Sequence, residues 1–361
     1  MLTVVSRCPD SLFGMTNLRL KTAYTTRHVP DGAIAGLMGD PDLVPRPGDL
    51  VVATVKRIGE HKRLELRDGR KSALFEGDTI LVAYGNRYAP DQFEAVVPTR
   101  LEPCDLVAAG GIAARTVTRH ANISAATEIA PLGLAVDAAG ERLSLSAYRA
   151  PEPGTRSRPP LVVAIVGSSM NAGKTTTAAH LVRGLRAAGL RTGAAKITGT
   201  GAGGDRWLFE DAGADAVLDF TDAGVASTSL LDPPQIDELC RELVGRLGAM
   251  GMQAAVVEVA DGLLQPETAA LVDGECFRTH ADAVLFAAGD AMSAVAGTQW
   301  LRDRDLPPTA ISGRVSASPL AAREAAAATG LDVLDLQALA SADVLTTLSP
   351  SVPTSAIGLA A

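Results

Sequence analysis

The residues able to do chemistry lie mainly in the second half of the chain, and the densest group is Gly167-Ser-Ser-Met-Asn-Ala-Gly-Lys-Thr-Thr176. Gly167, Ser168, Ser169, Ala172 and Gly173 are small, so backbone N–H groups can converge on an anion without side chains in the way, and Met170 and Asn171 complete the turn. Lys174 supplies a cation with the reach of a β or γ phosphate, Thr175 a hydroxyl suited to Mg²⁺, and Thr176 one more N–H group. Two further stretches carry charge. Lys196 precedes the glycine-rich run Thr198-Gly-Thr-Gly-Ala-Gly-Gly-Asp205. In Ala254-Ala-Val-Val-Glu-Val-Ala-Asp-Gly262 four apolar residues end in the carboxylate of Glu258, an arrangement that holds Mg²⁺ next to a phosphate loop. Asp261 either adds a metal or base function or only forms the turn before Gly262. A carboxylate buried like Glu258 needs a nearby cation, which Lys174 and Mg²⁺ would provide.

The elements that must position these groups are legible around them. Leu161–Val166 reads as a parallel strand covered on both faces, and Leu181, Val182, Leu185 and Leu190 recur at helical spacing after the loop. Strands are expected at 161–166, 192–197, 215–219, 254–259, 283–288 and 308–312, with one more at 331–334. Helices are expected at 174–189, 234–250, 291–304 and 317–329, and a short one at 207–214. Strands alternating with helices imply a parallel α/β sheet with ligands at its carboxyl ends. Lys196 then sits at such an end, either beside a transferring phosphoryl group or pointing at water.

The loop has five residues between Gly167 and the Gly-Lys pair, one more than the usual P-loop pattern, so Ser168 falls in the first-glycine slot. In this it resembles dethiobiotin synthetase and the related cobyrinic-acid amidating and CTP synthetases, the SIMIBI branch of P-loop NTPases. The resemblance covers residues 161 to 340 and rests on the loop, Lys196 with its glycine-rich run, and Glu258. It implies ATP and Mg²⁺ as cofactors, with Lys174, Lys196, Asp205 and Asp261 catalytic and Thr175, Asp205 and Glu258 holding the metal. Ser312 and Gly313 stand where that branch often has an Asn reading the base, so ATP over GTP rests on the resemblance alone. A looser likeness is to a two-domain P-loop family that includes D-glutamate N-acetyltransferase-like proteins, whose substrate is not carried over. The implied function is a kinase- or ligase-type enzyme activating a small carboxylate-bearing metabolite. The alternative is a nucleotide-switched assembly or cofactor-insertion NTPase acting on a protein partner. Related enzymes place active sites at dimer interfaces, which implies a homodimer.

At 361 residues the chain exceeds one usual core, and a formal charge of −8 with no basic tract argues against a dedicated nucleic-acid binder. No apolar run approaches membrane-spanning length and the amino terminus lacks a signal-peptide core, so the expected location is cytoplasmic, with no membrane partner. The four cysteines are far apart and read as reduced thiols, Cys276 and His280 being a weak helical ligand pair. Residues 1–150 look mostly β. Pro47-Gly-Asp and Glu76-Gly-Asp each launch a strand, and an OB- or SH3-like barrel is expected over 45–100, with Lys56, Arg57, Lys62, Arg63 and Arg67 on a basic, mostly solvated side. Leu134–Val136 and Arg142–Tyr148 are further strand candidates. The proline-rich stretch 151–160 reads as a linker, 161–345 as the α/β domain, and 346–361 as a loosely attached tail.

Overall fold

The computed structural model describes residues 6–7, 20–155, 157–159 and 161–348. The described chain divides into two compact units. The first holds the residues up to 150 together with Thr200–Gly204 and Phe220–Leu230; the second holds the remainder. Among the described residues no helix is long and apolar enough to cross a membrane.

The first unit is mostly β. Its strands are β1 (Ser6–Arg7), β2 (Lys21–Thr22), β3 (Gly36–Met38), β4 (Leu50–Arg57), β5 (Arg63–Glu65), β6 (Lys71–Ala73), β7 (Thr79–Tyr84), β8 (Arg87–Tyr88), β9 (Phe93–Val96), β10 (Cys104–Ala108), β11 (Ile112–Arg119) and β12 (Thr127–Val136). β4 and β7 follow two turns built alike. Gly48 and Gly77 both sit at φ 91°, where L side chains are strained. Asp49 then accepts the Arg46 N–H at 3.0 Å, and Asp78 accepts the Phe75 N–H at 2.7 Å. The two strands pair antiparallel, Leu50 opposite Ala83 and Thr54 opposite Thr79. Because strand side chains alternate, Val51, Ala53, Val55, Ile80, Val82 and Tyr84 enter one core while Leu50, Val52, Leu81 and Ala83 enter another. That two-sided burial is why both strands read as unbroken apolar runs.

Pairings run from β12 to β4, β7, β11, β10 and back to β12, with β7–β11 the parallel step. Within 45–100 alone the described strands form no closed ring; closure needs residues 104–136. Arg142–Tyr148 is not a strand. Leu145–Ala147 is a 3-10 turn fastened by Leu145 N–H to Gly48 O at 2.9 Å, with only isolated bridges at Arg142 and Ser144. On the basic side, Arg57 pairs with Glu128 and Arg67 with Asp31.

The second unit is a six-stranded sheet: β13 (Leu161–Gly167), β14 (Thr192–Lys196), β15 (Ala216–Asp219), β16 (Ala254–Glu258), β17 (Ala283–Ala287) and β18 (Ala310–Ser312). All neighbours are parallel in the order β15-β14-β16-β13-β17-β18. The helices are α1 (Lys174–Ala187), α2 (Gly204–Asp211), α3 (Pro233–Ala249), α4 (Pro266–Asp273), α5 (Glu275–His280), α6 (Ala291–Arg302), α7 (Pro319–Thr329), α8 (Leu336–Ala340) and α9 (Val344–Leu348). Leu161, Val163 and Ile165 of β13 pack with Ala178, Leu181, Val182 and Leu185 of α1. Gly184 lets α1 approach α8 closely, since a Cβ there would lie 2.1 Å from Leu339 O.

Several local expectations change. α4 and α5 were not expected; each is too short to show a full apolar repeat, and α4 starts from a Gln265 cap. The strand expected at 331–334 is a single parallel bridge from Val333 to Ile311. Residues 346–348, expected in the tail, belong to α9, which buries Leu348; residues 349–361 lie outside the described ones. In 151–160 the described residues carry no regular structure. Cys104, Cys240 and Cys276 are buried free thiols. α5 does form, yet His280 Nδ1 lies against the Cys276 carbonyl, and no group of three or more His, Cys, Asp or Glu residues with metal-holding geometry occurs among the described residues.

Candidate phosphate-binding site

β13 lies between β16 and β17, so the loop from Gly167 to Gly173 leaves the middle of the sheet at its carboxyl edge. The chain goes to one side for β14 and β15 and to the other for β17 and β18, which makes this edge the topological switch point, where open α/β sheets bind ligands. The loop is pinned on both flanks. Ser168 N–H donates to Ala287 O at 2.9 Å, Leu263 N–H to Gly167 O at 3.1 Å, and Arg314 N–H to Ala172 O at 2.9 Å. Asn171 adopts φ 61° and Gly173 φ 102°, the left-handed turns that bring the chain round into α1. A Cβ on Gly262 would come 2.5 Å from Ser168 O, so glycine is required where the β16 loop crosses the phosphate loop.

The loop curls around a buried cation. Lys174 Nζ donates to Ser169 O at 2.8 Å and to Asp261 O at 2.6 Å. Burial lowers its pKa, opposed by the charges of Glu258 and Asp261. The first amides of α1 have no preceding helical turn to bond to. An ammonium held by two carbonyl oxygens is thus present at a strand-to-helix turn, beside the free amides of a helix start.

Beside it stand two carboxylates around one hydroxyl. Thr175 Oγ1 donates to Glu258 Oε1 at 3.0 Å, and the same hydroxyl is among the groups that hold the Asp205 pKa low, after the Lys196 charge. Glu258, the last residue of β16, is 2% exposed, and its Oε2 is buried with no hydrogen-bond partner. Burial first, and the neighbouring Asp205 charge second, push its pKa up to about 7, against the pull of Lys196 and Lys174. Asp205 sits in the first turn of α2 and forms an ion pair with Lys196. Burial opposes both charges, but the pairing wins, so Asp205 stays low and Lys196 high.

Lys174, Thr175, Lys196, Asp205 and Glu258 are therefore brought together, along with the Asp261 backbone. Met170 is half-buried and Thr176 is exposed. Ser312, in the expected base-reading region, is fully buried: its hydroxyl donates to Leu334 O at 2.9 Å and meets Thr177 Oγ1 at 3.3 Å. Asp290 caps α6 through Ser293, and Ser227 closes a turn onto Ser229 N–H. The Lys196–Asp205 ion pair was not expected. Its sequence signal is faint, since the two residues are separated by a glycine-rich loop whose path only the fold determines.

An orphaned carboxylate oxygen next to a threonine hydroxyl, a second carboxylate and a glycine-built loop fits a divalent cation with a polyphosphate. The donor set is all oxygen, which suits Mg²⁺.

No family model matches the chain, and no curated protein does. Among solved structures it is similar to the signal recognition particle 54 kDa protein from Aeropyrum pernix K1 in complex with GDP, at 21% identity and TM-score 0.36, over 54% of this chain and 47% of that one. It is also similar to the signal recognition particle receptor FtsY from Elizabethkingia anophelis, at 15% identity and TM-score 0.32, over 56% of this chain and 59% of that one. A third is chloroplast FtsY from Physcomitrella patens, at 14% identity and TM-score 0.35, over 56% and 71%. This chain thus spans about half the length of the first. These likenesses assign no activity.

Proposed function

We propose that the second unit is a Mg²⁺-dependent nucleoside triphosphatase domain of the SIMIBI class, and that the protein uses ATP to phosphorylate or activate a small carboxylate-bearing metabolite. The observation that carries the nucleotide reading is the pairing of Thr175 with Glu258 beside the Gly167–Gly173 loop, with one Glu258 oxygen left over. Thr175, Glu258 and Asp205 would hold the ion, whose chemistry is to neutralise charge on the phosphates and the leaving oxygen.

Every other step belongs to the chain. Lys174 exchanges its bond to Ser169 O for phosphate oxygens, which keeps the ammonium in a dry pocket while its partner changes. The loop amides and the α1 terminus orient the phosphates. Asp205 holds Lys196 in place at the end of β14, and Lys196 stabilises the charge that develops during phosphoryl transfer. Burial favours the protonated form of Glu258 in the empty site, and a bound cation would favour its carboxylate.

One observation favours a second reading, a nucleotide-switched protein acting on a partner. Between Lys196 and Asp205, the segment Thr200–Gly204 belongs to the β unit, where Gly203 N–H donates to the Glu65 carboxylate at 2.9 Å and Gly201 N–H to Ala226 O at 3.0 Å. A loop fastened at its tip and flanked by site residues suits a switch. Measuring ADP and GDP release with Mg²⁺, with and without a panel of small carboxylic acids, separates the readings. Acid-stimulated turnover with a phosphorylated or ligated product supports the metabolite enzyme. Turnover indifferent to every acid overturns it and leaves the switch.

A further inference from the structure

The β unit contains a cavity of about 670 Å³ that is separate from the phosphate loop, formed by the chain around the first Gly-Asp turn and the 140–146 segment. Its size is that of a small-molecule pocket. Cations and hydroxyls share its wall. Arg142 is fixed there: its Nη1 donates to Val44 O at 3.0 Å and lies 3.6 Å from the Asp49 carboxylate, which is only 5% exposed. Asp49 is held in turn by the Arg46 N–H at 3.0 Å. Ser144 and Ser146 face each other with their hydroxyls 3.3 Å apart. The fold builds this wall deliberately, since Gly48 at φ 91° brings the turn within 3.1 Å, measured from a would-be Cβ, of the Ser144 hydroxyl.

We propose that this cavity is a binding site for a small organic monocarboxylate carrying a hydroxyl or ammonium group. A guanidinium oriented by a buried carboxylate presents a planar donor fork to a carboxylate, and Arg46 adds a second cation on the same rim. Ser144 and Ser146 supply hydroxyl donors. Met38 and Pro47 give an apolar wall for a short aliphatic body, and Glu141 suits an ammonium or hydroxyl at the far end. Two arginines face two carboxylates, Asp49 and Glu141, so the cavity is close to neutral and gives a multiply charged phosphate no net attraction. The site stands on residues of the β unit alone and does not depend on the nucleotide reading.

The test is calorimetric titration of the full chain with 3-hydroxybutyrate, 4-aminobutyrate and inorganic phosphate, in wild type and in Lys174→Ala, the latter to remove binding at the phosphate loop. Saturable binding of one of the two organic acids is expected in both proteins, with phosphate at least about tenfold weaker in Lys174→Ala. Arg142→Gln should weaken the organic acid by about tenfold or more. Arg46→Gln changes an exposed residue and should also weaken it, which keeps the test decisive if Arg142→Gln folds poorly. Absence of saturable binding by both organic acids, loss of binding in Lys174→Ala, tighter phosphate than acid binding in Lys174→Ala, or unchanged affinity in Arg46→Gln overturns the proposal.

Discussion

Carboxylates at strand ends do opposite work in the two units. Asp49 and Asp78 stand just before β4 and β7, where each accepts an N–H group of its own turn and faces a cation, Arg142 at 3.6 Å for Asp49 and Lys21 for Asp78. Their hydrogen bonds are spent on the fold. Glu258 stands at the end of β16, where parallel strands leave a crevice, and one of its oxygens has no hydrogen-bond partner. A satisfied carboxylate holds a turn in place, whereas an orphaned one in a crevice is available to a ligand and destabilises the empty protein. The same residue class is structural at one end of a strand and, in the proposed site, available for chemistry at the other.

The comparison can be broken at several points. Lys174→Ala removes the cation inside the loop, and triphosphate affinity should fall by about a hundredfold, the loss expected when a desolvated charge pair disappears; equilibrium titration with a fluorescent nucleotide measures it. Lys196→Ala leaves Asp205 without its counter-ion, so stability should drop by about 3 kcal/mol in denaturant titration, and any turnover should fall with it. Rescue of stability in Lys196→Ala/Asp205→Asn would show that the loss was the uncompensated charge. Asp78→Asn in the β unit should lower stability by about 1–3 kcal/mol while nucleotide binding stays unchanged. An effect on nucleotide affinity would erase the contrast between the two kinds of carboxylate.

A separate effect is expected in acid. Burial, and then the Arg87 charge, lower the His61 pKa to about 3. Arg87 Nη1 lies 3.4 Å from His61 Nε2, which must accept there, so the ring is neutral in the fold. Since the folded pKa is below the ordinary value, stability present above about 6.5 is lost as pH falls toward 3. His61→Gln should flatten that part of the pH–stability curve, read as thermal midpoints between pH 7 and pH 4.

Much of the second unit was legible because its signals are local. Gly167 to Thr176 is continuous, Glu258 ends an unbroken apolar run, and six strands fall close to their expected places. What escaped depends on pairing distant in sequence. The β7–β11 parallel step and the β10–β12 pairing decide how the first unit closes, and no short stretch encodes either. Arg142–Tyr148 alternates like a strand, but Leu145 is captured by Gly48 O. Thr200–Gly204 lies in a glycine-rich run whose path no short stretch encodes; Gly110 gives it a place in the β unit, since a Cβ there would sit 2.1 Å from Gly201 O. Ser312 looks available to a ligand until the chain returns at Leu334 to take its hydroxyl.

The central claim is that the spare oxygen of Glu258 belongs to a cation held with a nucleotide. Because burial raises the Glu258 pKa to about 7, its ionised form weakens the empty protein as pH rises from about 4.5 through 7, by on the order of 3 kcal/mol. The decisive measurement is ATP titration at pH 8, with and without Mg²⁺, on wild type and Glu258→Gln. Wild type should bind ATP more tightly with Mg²⁺, and Glu258→Gln should lose that dependence while the metal-free protein becomes no less stable. A Glu258→Gln protein whose ATP affinity still rises with Mg²⁺ as in wild type would contradict the account.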